Sequence, residues 1–257
     1  MKHTINRALF EQTAFDSSAP AGTAAVMHRF ADPGEYTITF LHEDRPIADA
    51  RLTVTADAAP NGIAAAPADH VTVDVTALMA QTVIADAPPH RNPFLLRPNG
   101  YASFNASGRA RPYAVVVTAQ GAPYRASGST SGAGAPAKGI VFDSRRLGAG
   151  DLFALTPLRP GRYRLANRFG EYEGSITVAY PVVGDRPYHP PLPVEVECSP
   201  HGFKPATIAL QPVQGLVFKI LGEARLTIEL VAPDDGPRDR PAAVKRSRRG
   251  DTGDVGK

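Results

Sequence analysis

A chain of 257 residues with 43% apolar side chains can fill one large or two ordinary cores, and its single cysteine excludes an internal disulfide framework. The 23 glycines and 25 prolines force frequent turns and exclude long helices as the main architecture, while no apolar run approaches the ~20 residues that a membrane-spanning helix needs. The net charge of +3 is local in origin, because the run KRSRR at 245–249 carries four positive charges and no negative one.

In chain order, the opening MKHTINRALFEQTAF lacks the basic-then-apolar pattern of a signal peptide. Alternation and β-branched residues then predict strands at 35–41, 50–56, 70–75, 113–119, 162–167, 174–180, 193–198, 206–210, 216–220 and 224–231. Turn signals separate them: DPG at 32–34, PNG at 98–100, GAG at 148–150 and RPG at 159–161. TALMAQTVIA at 76–85 is the one helix-like stretch. PHRNP at 89–93 and DRPYHPPLP at 185–193 read as stiff, extended connectors, with proline recognition as a second reading. GSTSGAGAPAKG at 128–139 lacks the ending of a phosphate-binding loop and reads as a flexible loop. From 233 onward the chain is rich in Pro, Gly and charge and poor in large apolar residues, which predicts a disordered basic tail over 233–257. Through that tail alone a nucleic acid could be a partner.

Two repeats organise the chain. FDSSAPAGTAAVMHRFADPGEYTITFLHEDRPIADARLTV (15–54) parallels FDSRRLGAGDLFALTPLRPGRYRLANRFGEYEGSITV (142–178): both open Phe-Asp-Ser, enter a strand through Pro-Gly-x-Tyr and close on an apolar-x-Val strand. Separately, VTVDV (71–75) with PFLLRPNGYASFNASGRARPYAVVVT (93–118) parallels 194–231.

With these motifs the chain resembles the cupredoxin family. The first repeat is similar to a cupredoxin's carboxy half, ending on Gly174, Ile176 and Val178. The second is similar to its amino half, through Gly202, Phe203, Pro205, Ile208, Leu210, Gly215, Val217 and Phe218. The fold so implied is all-β, with two cupredoxin-like Greek-key β-sandwiches. One is central, at 69–181. The other is a circularly permuted sandwich assembled from 10–56 plus 192–232 at the two chain ends. Left unpaired, those terminal halves would expose open edges, so they are expected to pair within one chain or between neighbouring chains.

The resemblance also implies where blue-copper ligands would stand: two histidines, a cysteine thiolate and usually a methionine. The first histidine's place is held by Tyr113 in one unit and by Ala224 or Arg225 in the other. The loop that would carry the remaining ligands reads ANRFGEY at 166–172, and FLHEDRPIA at 40–48 supplies only His42. The expectation is therefore a scaffold that has lost its metal, with no cofactor and no enzymatic activity. Its partner would be another protein or a second copy, contacted through Tyr101, Phe104, Tyr113, Phe169 and Tyr172. The alternative is an exported, periplasmic copper-binding or electron-transfer protein using Cys198 and His201, spaced C-x-x-H, together with His42. No G-x-S-x-G, H-E-x-x-H or paired cysteines point to catalysis.

Overall fold

A computed structural model describes residues 7–56, 66–82, 94–107, 111–120, 139–181 and 187–236. Residues 237–257 of the predicted tail, 128–138 of the predicted loop and the connector at 89–93 lie outside these residues; 233–236, also predicted disordered, are instead held against the body, where the Asp234 N–H bonds the Pro160 carbonyl at 3.0 Å. Two short helices are present, α1 (Arg7–Phe10) and α2 (Val75–Thr82), the second begun by the Asp74 carboxylate, which accepts the Thr76 N–H at 2.8 Å. None of the described helices is long and apolar enough to cross a membrane. The rest is strand.

The first part of the chain forms β1 (Ala14–Asp16), β2 (Ala24–Phe30), β3 (Gly34–His42), β4 (Arg45–Val54), β5 (Ala68–Asp74), β6 (Phe94–Asn105) and β7 (Ala114–Ala119). The second part forms β8 (Ile140–Asp143), β9 (Leu152–Leu155), β10 (Gly161–Asn167), β11 (Glu173–Val178), β12 (Val194–Ser199), β13 (Gly202–Lys204), β14 (Thr207–Leu210), β15 (Leu216–Ile220) and β16 (Leu226–Pro233). Alternation gives many of the strands one apolar face. In β10, Tyr163, Leu165 and Asn167 point inward while Arg162 and Arg164 point out.

A five-stranded sheet runs β1-β16-β10-β11-β14. An eleven-stranded one runs β13-β12-β15-β9-β2-β6-β4-β3-β7-β8, with β5 also on β6. The long strand β6 serves two layers. Its start pairs with β4 and its end with β2 and β5, and Asn99, at φ +67°, marks the bend between them. Rings bridge the layers so formed: Phe30 of β2 meets Tyr36 of β3 at 5.0 Å, and Phe104 of β6 stacks on Phe142 of β8 at 5.5 Å. A single apolar cluster runs through both parts of the molecule.

The repeats are related by a pseudo-twofold axis that runs through the β2–β9 ladder. There Val26 faces its own equivalent, Phe153, and the flanking pair Ala25–Ala154 maps onto the pair Met27–Leu152 when the repeats are exchanged. The equivalence extends outward. Ile38 faces Val117 as Leu165 faces Ile228. Tyr36 donates its hydroxyl to the Asp32 carbonyl at 2.8 Å, and Tyr163 donates to the Arg159 carbonyl at 2.7 Å. β14 and β15 repeat the two ends of β6, with Val213 (φ +59°) at the place of Asn99.

The ladders distribute the halves differently from the pattern expected from the repeats. β2, β3 and β4, from the terminal half 10–56, pair with β6 and β7 of the central segment, and only β1 pairs with the C-terminal strand β16. Likewise β9, β10 and β11 pair with β15, β16 and β14, while β8 stays with β7. Proximity along the chain accounts for this: each copy of the Phe-Asp-Ser repeat takes the copy of the other repeat that follows it. The two Phe-Asp-Ser strands, β1 and β8, are exchanged reciprocally between the resulting units.

Candidate functional site

Three turns converge at one end of the second unit: β10 to β11, β12 to β13, and β15 to β16. Asn167, the last inward position of β10, latches them. Its amide donates to the Tyr172 hydroxyl at 2.8 Å, and its Oδ1 accepts the N–H groups of Phe169 (3.2 Å) and Arg225 (2.9 Å). The Tyr172 hydroxyl in turn donates to the Ser199 carbonyl at 2.6 Å, and the Ser199 Oγ accepts the His201 N–H at 3.2 Å. Beneath them lies the Cys198 thiol, 1% exposed and 3.8 Å from the Tyr172 hydroxyl. Burial pushes that thiol up, against a smaller downward pull from the Tyr172 hydroxyl. Burial likewise raises the Tyr172 phenol, although the Asn167 hydrogen bond opposes it.

The outer rim of this end carries two large apolar side chains among charged ones. Phe169 is 50% exposed, and Leu221, in the neighbouring turn, is 52% exposed. Beside them Arg225 reaches Asp16 of the exchanged strand β1 at 2.9 Å. Burial acts to raise the Asp16 carboxyl, yet the Arg225 and Ser18 hydrogen bonds outweigh it and hold the group below its ordinary value.

Cys198, His201, Phe169 and Tyr172 thus belong to one loop cluster, but His42 does not join them. It ends β3, separated in the sheet from β12 by β15, β9, β2, β6 and β4. There it packs on Tyr113 at 5.7 Å, and its Nδ1 lies 3.3 Å from the Pro112 carbonyl. What reads as a nine-residue loop around His42 is a tight hairpin, with Glu43 and Asp44 both at positive φ. Cys198 therefore has a phenol as its neighbour and an imidazole only on the outward-facing His201. The donor set does not fit a trigonal copper site, and among the described residues no three of His, Cys, Asp and Glu converge.

Two of the aromatic contact candidates are core residues. Phe104 and Tyr113 are buried, because their positions alternate inward on β6 and at the start of β7. Tyr101 is half-buried opposite Arg29.

Sequence reading missed Asn167, although a polar residue at an inward position after Tyr163 and Leu165 is a visible break in alternation. It also missed the contact that continues the β2–β9 ladder, where His28 Nδ1 lies 2.6 Å from the buried Asp151 carboxylate. No protein-family model, curated protein or solved structure matches this chain.

Proposed function

We propose that this chain is a non-catalytic protein-binding module: a tandem of cupredoxin-like sandwiches in which the loop end that would hold metal has become a closed contact surface. The observation that carries this reading is the Asn167–Tyr172–Ser199 network. It satisfies its own polar groups, seals Cys198 beneath it and turns Phe169 and Leu221 outward. A rigid hydrogen-bonded base beneath exposed Phe169 and Leu221 suits protein contact, because little freedom remains in the base to be lost on binding. The reciprocal exchange of β1 and β8 leaves neither half short of its strand, which favours a foreign partner over a second copy of the chain.

The test is molar mass by light scattering after size exclusion, on protein grown with copper and assayed for metal in the same fraction. A metal-free monomer supports the reading. A metal-free dimer replaces the foreign partner with self-association. One copper per chain, lost in Cys198→Ala or His201→Ala, overturns the module in favour of a copper-binding protein.

A further inference from the structure

Between β11 and β12 the chain runs Pro187-Tyr188-His189-Pro190-Pro191-Leu192-Pro193, without regular secondary structure and exposed at every residue. Its conformation is dictated by composition. Proline fixes φ near −65° at four of the seven positions, and His189, Pro190 and Leu192 each precede a proline, which drives them to the extended, polyproline II region. Such a helix makes three residues per turn with no internal hydrogen bonds. His189 and Leu192 therefore share one edge, and Pro187, Pro190 and Pro193 share another.

The segment is also tied down. The Tyr188 hydroxyl donates to the Pro212 carbonyl at 2.7 Å. Gln214 Nε2 donates to the Leu192 carbonyl at 2.7 Å, and the Val194 N–H bonds the Gly215 carbonyl at 2.9 Å. All three anchors come from the turn between β14 and β15, so the strap is held along one line of the body. Gln214 is itself buried, and its Oε1 accepts the Gln211 N–H, which fixes the amide that grips the strap. Yet Leu192 leaves 86% of its surface in water, the most exposed of the large apolar residues described, and Tyr188 is 53% exposed. Folding gains nothing from an apolar side chain presented in this way, and the anchors hold it there.

We infer that residues 187–193 are a docking strap for a protein domain whose aromatic-lined groove recognises polyproline II, of the WW or SH3 kind. Two overlapping Pro-x-x-Pro spacings, 187–190 and 190–193, present ridges for such a groove, with Leu192 as the aliphatic anchor between Pro191 and Pro193. The conformation exists before binding, so the ordering cost that weakens free peptides is already met. This rests on the protein-binding reading above and names the class of partner.

The test titrates purified WW and SH3 domains into the full-length chain, following the domains' groove tryptophan fluorescence, which this tryptophan-free protein does not obscure. At least one domain is expected to bind, and Leu192→Ala and the double variant Pro190→Ala/Pro191→Ala are each expected to weaken it tenfold or more. Leu192→Ala removes no buried contact, so an unchanged unfolding midpoint separates lost docking from lost fold. No binding across both panels, or binding indifferent to both variants, overturns the inference. A metal-free monomer that binds none of the domains would remove the strap while leaving the module reading intact. Stoichiometric copper would remove the module reading whether or not the strap binds.

Discussion

Ser144 follows the exchanged strand β8, is fully buried, and works in three directions. Its Oγ accepts the Val115 N–H at 2.9 Å and donates to the Ser18 carbonyl at 2.8 Å, while its own N–H bonds the Val115 carbonyl at 2.9 Å. Ser144→Ala keeps the backbone bond but strands one buried donor and one buried acceptor, each costing about 1–3 kcal/mol. The expected loss is about 2–6 kcal/mol. At roughly 2–4 °C per kcal/mol for a chain of this size, that is a fall of about 4–24 °C in the midpoint. Among the described residues the pseudo-equivalent Ser17 Oγ has one partner, the Leu226 N–H at 2.9 Å, so Ser17→Ala should cost only about 1–3 kcal/mol. Urea unfolding followed by far-ultraviolet circular dichroism gives both values, provided each variant unfolds in a single transition. If Ser144→Ala costs less than about 0.5 kcal/mol, or less than Ser17→Ala, then the exchanged strand is not locked in the way the structure describes.

Three further outcomes follow from named contacts. A Cβ on Gly161 (φ +139°) would collide with the Ala232 carbonyl, whereas one on Gly34 (φ +159°) meets nothing nearer than 3.7 Å and adds backbone strain alone; Gly34→Ala should cost about 1–3 kcal/mol by thermal unfolding and Gly161→Ala clearly more. Burial pushes the Tyr163 phenol from the ordinary 10.0 up to about 12, against a smaller downward pull from Arg159. Between those values the native state keeps a proton that the unfolded state has lost, so this stabilisation is complete below pH 10 and disappears as pH rises through 12, a slope that Tyr163→Phe should reduce in alkaline urea titrations, leaving the smaller part due to Tyr36 and Tyr172. The sealed Cys198 thiol should react slowly with an aromatic disulfide reagent, and Asn167→Ala, which opens the latch, should speed that reaction at least tenfold with no change in fully denatured protein.

The strands that period-two alternation finds are the ones with one face in the core and one in water. β10, β14 and β15 alternate in their burial, and they stand where their sequence pattern puts them. Alternation fails where a strand is too short, as in β1 and β13 with three residues each, whereas β7, buried continuously from Val115 to Thr118, is still found at 113–119 through its run of β-branched residues. PNG at 98–100 reads as a turn, yet β6 passes through it, because Asn99 takes positive φ to bend the strand instead of ending it. Which half pairs with which is not written in the repeats at all. Equivalent halves carry equivalent apolar faces, so the choice falls to chain connectivity. At the candidate site the cluster of Cys198, His201 and Tyr172 follows from their places in neighbouring turns, whereas His42 is excluded by a sheet order that only the folded chain reveals.

That near-equivalence poses a problem, since two similar repeats could each pair with a second copy of themselves. The β2–β9 ladder resolves it at its ends. As folded, Ala24 faces Leu155 at one end, and at the other His28 meets Asp151, whose second oxygen accepts the Gly148 N–H at 2.7 Å. At the centre a small residue, Val26, faces a large one, Phe153, both fully buried. Were the second repeat to pair with its own copy in the same register, Phe153 would oppose Phe153 and the buried Asp151 carboxylate would oppose Leu155. An unpaired buried carboxylate costs several kcal/mol, and the doubled ring overfills the same layer. The first repeat paired with itself would set Val26 against Val26, leaving a gap, and His28 against Ala24, with no carboxylate within reach. Both like-with-like arrangements lose what the mixed one gains, so the residues that break the pseudo-symmetry are the ones that make the two repeats choose each other.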